Sequence, residues 1–346
     1  MAALGEFELI ARYFERRGGP RRALLGIGDD CALLPPLDCL AVSTDMLVAG
    51  RHFFADVDPN ALGHKTLAVN LSDLAAMGAS PVAFTLALAL PEVDEPWLRA
   101  FADGLFALAD AHDCELVGGD TTRGPLNLCV TVFGEVPREL ALRRDGARAG
   151  DDVWVSGELG AAAWAVAERT RDAERTAGSG GTAGSGGSGG SGGVTAPELL
   201  RARARLDRPQ PRVALGLALR GLASAAIDLS DGLCGDLQHV LDRSGAARGV
   251  ALGAEIAWPA IPVDAALDGL PAARRVALSL AGGDDYELLF CAAPARREAL
   301  AAAAGALGLR ITRIGRIAAG AGLRVHDADG TTVPIDARSF DHFRTA

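Results

Sequence analysis

Hydrophobic and polar positions along this chain change period several times, so that short β-branched runs alternate with longer stretches at helical spacing. LAVSTDMLV (40–48) reads as a strand, PNALGHKTLAVNLSDLAAMG (59–78) as a helix ending at Gly78, and VAFTLALAL (82–90) as a buried strand. In EPWLRAFADGLFALADAH (95–112), Leu98, Phe101, Leu105, Leu108 and Ala109 fall on one helical face, and CELVGG and LNLCVTVFGEV supply two more strands. The opening MAALGEFELIARYF has the acids and spacing of a helix start. This pattern predicts an α/β first half.

The polar stretch PRELALRRDGARAGD (137–151) breaks the pattern and marks a boundary. Beyond it DVWVSG begins a second set of elements: helices at 161–175, near 196–206 and at 211–221, a strand ASAAIDL, a helix from Asp231, a strand YELLFCA, a helix at 294–306 and a strand LRITRIGRI. Two domains are expected, 1–147 and 148–346. TAGSGGTAGSGGSGGSGG (176–193) has no side chains with which to bury apolar surface and reads as a flexible insertion in the second domain, carrying no chemistry. Loop-closure cost grows only logarithmically with length, so the fold tolerates it.

Composition narrows the function. A chain of 346 residues with 49% hydrophobic content can fill two cores. Lys plus Arg total 34 against 44 Asp plus Glu, and the net charge of -10 argues against nucleic acid or an anionic membrane as partner. The one lysine, Lys65 in ALGHKTLAVN, lacks the glycine that a phosphate-binding G-x-x-x-x-G-K-[ST] loop requires, and the DFG and HRD words of protein kinases are absent. Six dispersed cysteines form no C-x-x-C pair, which disfavours a zinc ribbon or redox dithiol and predicts reduced core thiols. No apolar run reaches membrane-spanning length, and the N-terminus does not look like a signal peptide, so a soluble cytoplasmic protein is expected.

Nine aspartates stand in short words beside apolar runs: Asp29 and Asp30 in GDD, Asp45 in STD, Asp73 in LSD, Asp120 in GGD, Asp228 and Asp231 in IDLSD, and Asp284 and Asp285 in GGDD. Singly, each such word suits an ordinary turn. Asp73 lies in an otherwise apolar helix, where it is either solvated or a ligand. Ser230 and Asp231 suit the cap of the helix that follows, a position that also attracts phosphate. Arg144 by itself is a solvated boundary residue, and His52 a satisfied histidine. Together, glycines that let backbone approach closely and small hydroxyls beside the acids point to magnesium-dependent handling of a polyphosphate.

In order, GEFELIARYF, GIGDDCALL, AVSTDMLVAGRHF, LAVNLSDLAAMGASP, LVGGDTTRG, AIDLSDGL, LAGGDDYELLF and SFDHF resemble the thiamine-monophosphate kinases, of the superfamily that includes aminoimidazole ribonucleotide synthetase and selenophosphate synthetase. The match runs over nearly the whole chain. It implies a two-domain fold, an N-terminal α/β domain whose strands form a barrel across a homodimer and a C-terminal α+β domain. The implied reaction is ATP-dependent phosphorylation of thiamine monophosphate to thiamine diphosphate. Carried over residue by residue, the resemblance implies Asp30, Asp45, Asp73, Asp120, Asp228 and Asp231 as ligands of several Mg²⁺ ions, with oxygens of Ser43 and Thr44. Gly119, Asp120, Arg144 and Ser230 would meet ATP, and His52, Asp284 and Phe340 the thiamine phosphate. The family usually has Gly-Gly-Glu-Asp where this chain has Gly282 to Asp285, so the resemblance implies that the substrate-side carboxylate would be the shorter Asp284. Selenophosphate synthesis uses a reactive Cys or selenocysteine with a nearby Lys close to the N-terminus, and the opening of this chain has neither. Aminoimidazole ribonucleotide synthesis is a rival reading within the same superfamily. A non-catalytic nucleotide-binding protein is a rival outside it, and one that would not need the full set of acidic words.

Overall fold

A computed structural model describes residues 5–15, 21–27, 31–178 and 196–334. They form two compact units: one from the chain up to Leu142 with Gln210–Gly221, the other from Arg143–Pro209 with the chain from Leu222 onward. The border falls five residues before the expected one. Gln210–Gly221, placed by sequence in the second domain, joins the first unit instead.

The first unit opens with α1 (Glu6–Tyr13) and is built on β1 (Leu40–Val48), β2 (Ser80–Leu90), β3 (Glu115–Arg123) and β4 (Asn127–Glu135) in the order β1-β4-β2-β3. β4 runs antiparallel to both β1 and β2, and β3 runs parallel to β2. Against this sheet packs α2 (Pro59–Ala76), which starts where the Asp58 carboxylate accepts the Ala61 N–H at 2.8 Å and Pro59 presets the first turn. α2 is buried almost all round, because α3 (Glu95–Ala111) covers its outer side. The approach of the two helices is too close for any side chain at the crossing. A Cβ on Gly63 would stand 2.0 Å from the Phe101 carbonyl oxygen, and one on Gly104 1.9 Å from that of Asn60. α6 (Val213–Ala218) touches α2 in the same way, a Cβ on Gly216 falling 2.1 Å from the Ala75 oxygen. That contact is why Gln210–Gly221 belongs to the first unit.

The other sheet face carries apolar side chains in the open. Leu40, Val42 and Met46 of β1 are exposed, beside half-buried Phe133 and Cys129 of β4. The four strands form an open sheet with β1 and β3 at its edges; the chain by itself closes no barrel among the described residues.

In the second unit, six strands lie in the order β10-β7-β9-β5-β8-β6. They are β5 (Asp152–Ser156), β6 (Ala225–Asp228), β7 (Leu252–Ala257), β8 (Leu288–Ala292), β9 (Ile311–Ala319) and β10 (Gly322–His326). All neighbours are antiparallel except β10 and β7. β8 is buried along its whole length, in a core built with β6, β7, β9 and α7 (Leu233–Arg248). α4 (Ala161–Gly178), α5 (Ala196–Asp207), α8 (Ala272–Ala281) and α9 (Arg297–Ala306) complete the unit. The Gly/Ser tract lies, from residue 179 on, outside the described residues. Sequence periodicity missed β7, β10 and α8. The two strands are only six and five residues long and mix small, charged and apolar residues, and α8 lies between loops without a cap residue that reads as a start.

Described cysteines are all free. Burial pushes the thiols of Cys114 and Cys234 up to about 12, in keeping with inert core thiols, whereas Cys31 is exposed. No helix among the described residues is long and apolar enough to cross a membrane.

Replacing Gly104 with Ala is expected to cost about 3 kcal/mol or more, since two helix backbones must separate. Gly305→Ala in α9, where a Cβ meets nothing within 4 Å, should gain about 0.5–1 kcal/mol from helix propensity. Urea unfolding midpoints of the two variants check this; equal effects would show that the α2–α3 contact is looser than described.

Candidate functional site

Alternation along β1 sorts its polar residues. Ser43, Asp45 and Leu47 share the face toward α2, while Leu40, Val42, Thr44 and Met46 are exposed on the other. Two hydrogen bonds join the strand to the helix. The Ser43 hydroxyl donates to Asp73 Oδ2 at 2.5 Å, and the Asp45 N–H donates to Asn70 Oδ1 at 3.0 Å, with the Asn70 amide held in turn by the Thr66 carbonyl. The STD and LSD words, 30 positions apart, thus become one corner. Thr44 is not part of it: its hydroxyl meets that of Thr131 at 2.9 Å on the exposed face.

His52 follows β1 in a tight turn, where its Nδ1 accepts the Val48 N–H at 3.0 Å and so leaves the ring proton on Nε2. Gly119 stands in the sheet row of Asp45, Val130 and Leu86, and exposed Asp120 in the next row beside Ala87. At Gly119 the backbone has φ +153°, and a Cβ would fall 1.9 Å from the Leu86 oxygen, so only glycine fits. β3 is the opposite edge from β1, which puts Asp120 three strand spacings, roughly 14 Å along the sheet, from Asp45. Asp30 and Phe340 lie outside the described residues.

In the second unit the IDLSD and GGDD words meet by backbone. The Leu229 N–H donates to the Glu287 carbonyl and the Tyr286 N–H to the Leu229 carbonyl, each at 2.8 Å, and the Asp284 N–H to the Ser230 carbonyl at 2.9 Å. Gly283 passes so near that a Cβ would lie 2.5 Å from the Ser230 oxygen. Asp284 and Tyr286 take left-handed backbone, φ 66° and 50°, a strained choice for residues with a Cβ. Asp228, at the end of β6, pairs with Leu288 and is buried.

Capping by Ser230 or Asp231 does not occur. Gly232 is the N-cap of α7 without a side-chain bond, and the orphan N–H groups of Asp231 and Gly232 are taken by Asp236, one turn inside the helix, at 3.2 and 3.1 Å. Asp236 was missed from sequence; its only signal is an acid in the first turn after a glycine. Burial, reinforced by the charge of Asp231, raises its pKa to about 7 against the opposing pull of the two N–H groups and the Arg144 charge. Arg144 thus lies within electrostatic reach of this corner, its carbonyl fixed by the Ser244 hydroxyl at 2.9 Å. Also missed were Ser156, Arg205, Asp264 and Glu287, which form a hydrogen-bonded and charged network in the second unit.

Among the described residues no three side chains of His, Cys, Asp or Glu are gathered as a ready metal cage. The donor groups that the structure does bring together are oxygens throughout: the Ser43 hydroxyl with the Asp73 carboxylate in one unit, and closely spaced, mutually repelling carboxylates in the other. Such a set suits a hard divalent cation rather than a soft one.

Two family models match the chain, AIR synthase related protein, N-terminal domain, over residues 28–136 and the corresponding C-terminal domain over 148–328. The chain is 46% identical to the thiamine-monophosphate kinase of Salmonella typhimurium, over 99% of both chains. Among solved structures it is similar to thiamine-monophosphate kinase from Stenotrophomonas maltophilia K279a, with 48% identity, 94% of this chain and 96% of that one covered, and a TM-score of 0.78. AaThiL complexed with AMPPCP and TMP is similar at 29% identity, covering 88% of this chain and 87% of that one, with a TM-score of 0.70.

Asp236 predicts a pH signature. Its folded pKa of about 7 exceeds the ordinary 3.8, so its contribution to stability is complete below about pH 4 and is lost as pH rises through 7. In magnesium-free buffer, Asp236→Asn should flatten the fall in unfolding free energy over this window; an unchanged slope in urea titrations would show that Asp236 is charged throughout.

Proposed function

The chain belongs to the AIR synthase related family, among its thiamine-monophosphate kinases, and we propose that it moves the γ-phosphoryl group of ATP directly onto the phosphate of thiamine monophosphate, giving thiamine diphosphate and ADP. It is a phosphotransferase. The single observation that carries this reading is likeness to a thiamine-monophosphate kinase over 99% of both chains. The complex of a similar protein with AMPPCP and TMP supports the pair of substrates.

One anionic phosphate must attack another, and two unit charges ~4 Å apart at an effective dielectric of ~20 repel by about 4 kcal/mol. Several Mg²⁺ ions, held by Asp30, Asp45, Asp73, Asp120, Asp228 and Asp231 with oxygens of Ser43 and Thr44, would supply the neutralising charge. Within this set Ser43 orients the Asp73 carboxylate, whereas the Thr44 hydroxyl is engaged with that of Thr131 on the opposite sheet face. Gly119 lets backbone approach ATP closely, and Arg144 and Ser230 bind its phosphates, the arginine fork matching paired phosphate oxygens. The Nε2–H of His52 donates to the thiamine phosphate, which Asp284 and Phe340 help to seat. The acceptor oxygen is already ionised near neutral pH, so no general base is assigned, and in-line alignment carries the catalysis.

The working form is a homodimer in which the open sheet of one protomer meets that of a second copy to close a barrel. Its support is the row of exposed Leu40, Val42 and Met46, an apolar face otherwise left in water.

With ATP and magnesium, ADP should form with thiamine monophosphate and not with thiamine or aminoimidazole precursors. Asp45→Asn and Asp120→Asn, each still folded by circular dichroism, should lose at least about 10²-fold in turnover. A near-normal rate at saturating magnesium would remove either residue from the site. Light scattering should give twice the protomer mass, reduced to one in Val42→Arg; a monomeric parent protein would end the barrel proposal.

A further inference from the structure

The strained turn at Asp284 to Tyr286 is held from behind by a charged network that the proposed reaction does not use. Glu287, 1% exposed at its side chain, receives Arg205 Nη2 at 2.9 Å on Oε1 and the Ser156 hydroxyl at 2.5 Å on Oε2. The same Ser156 oxygen accepts the Leu288 N–H at 2.9 Å, locking the residue after Glu287 to β5. Asp285 accepts the Gly160 N–H at 3.0 Å. Arg205 also donates to the Glu158 carbonyl at 3.1 Å and faces Asp264, whose Oδ1 binds Arg201 Nε at 2.9 Å. Arg201 and Arg205 lie one turn apart on α5, so a single helix face braces the loop.

Gly157 shows how tightly this is built: at φ +59° its Cβ would stand 2.1 Å from Glu287 Oε1. Asp285 and Glu287 therefore face the SGELG segment and α5, while Asp284, between Gly283 and Asp285, takes left-handed backbone. A buried carboxylate keeps its charge and place only with a partner, and the partner with charge here is Arg205.

We propose that Arg205 is a positioning residue for thiamine monophosphate: by pairing with Glu287 it holds the 284–286 turn in its strained form and so sets where the shortened carboxylate of Asp284 meets the substrate. This rests on the reading of Asp284 as the substrate-side carboxylate. An arginine on another helix thus reaches the substrate only through the turn.

The experiment uses the full-length protein with ATP, Mg²⁺ and thiamine monophosphate, and measures kcat and both KM values for Arg205→Met, Arg205→Lys, Glu287→Gln and Asp284→Asn, with thermal unfolding of each. Arg205→Met should raise KM for thiamine monophosphate roughly tenfold or more, the range expected for one charge-assisted hydrogen bond, with KM for ATP within about twofold. Arg205→Lys should recover part of it, and Glu287→Gln should give the same split if the Met variant does not fold. If Asp284→Asn raises KM for thiamine monophosphate but the Arg205 and Glu287 variants lower only the unfolding temperature, or shift both KM values together, the positioning role is overturned and the site reading stands. If Asp284→Asn leaves that KM unchanged, both fall.

Discussion

Carboxylates repel one another, and this acidic fold keeps them in place by giving them backbone N–H groups. Glu115 takes three, from Arg21, Arg22 and Ala23, and its pKa is lowered despite burial. Asp236 takes those of Asp231 and Gly232, Asp285 that of Gly160, and Asp58 and Asp94 each cap a helix. Each bond satisfies a donor that a helix start or turn would otherwise leave orphaned, and it fixes the position of the acid that accepts it. The protein's single lysine lies buried in α2 and offers no competing cation at these turns.

Glycine is the other half of that arrangement. At Gly119 and Gly283 the acidic words need it because a neighbouring carbonyl oxygen occupies the space of a Cβ; outside those words, Gly157 is required because the Glu287 carboxylate does. The words seen in sequence are therefore packing constraints as well as chemical ones: an acid is presented where two backbones touch, and the glycine beside it permits the touch. Strain enters where this is carried furthest, at Asp284 and Tyr286, and the hydrogen bonds to Leu229 and Ser230 offset it.

Long periodic elements were legible from the chain alone. β1, α2 and α3 fall within two residues of the expected spans, since each repeats its pattern over enough positions to decide between strand and helix. The short strands β7 and β10 were not, because five or six small or mixed residues carry no clear period. The expected cap at Ser230 and Asp231 failed for a related reason. A hydroxyl before a helix is a local signal, whereas the competing acceptor, Asp236, wins through the buried geometry of the turn.

Sequence by itself determined the order of acidic words, tight turns and apolar faces along the chain, because these are properties of residues and their spacing. Tertiary structure alone decided which acids become neighbours. It joined Ser43 to Asp73, set Asp120 on the far edge from Asp45, moved Gln210–Gly221 into the first unit and put Arg205 behind the Asp284 turn. Those choices depend on strand order, register and helix approach, which arise from contacts between residues far apart in the chain and leave no local trace.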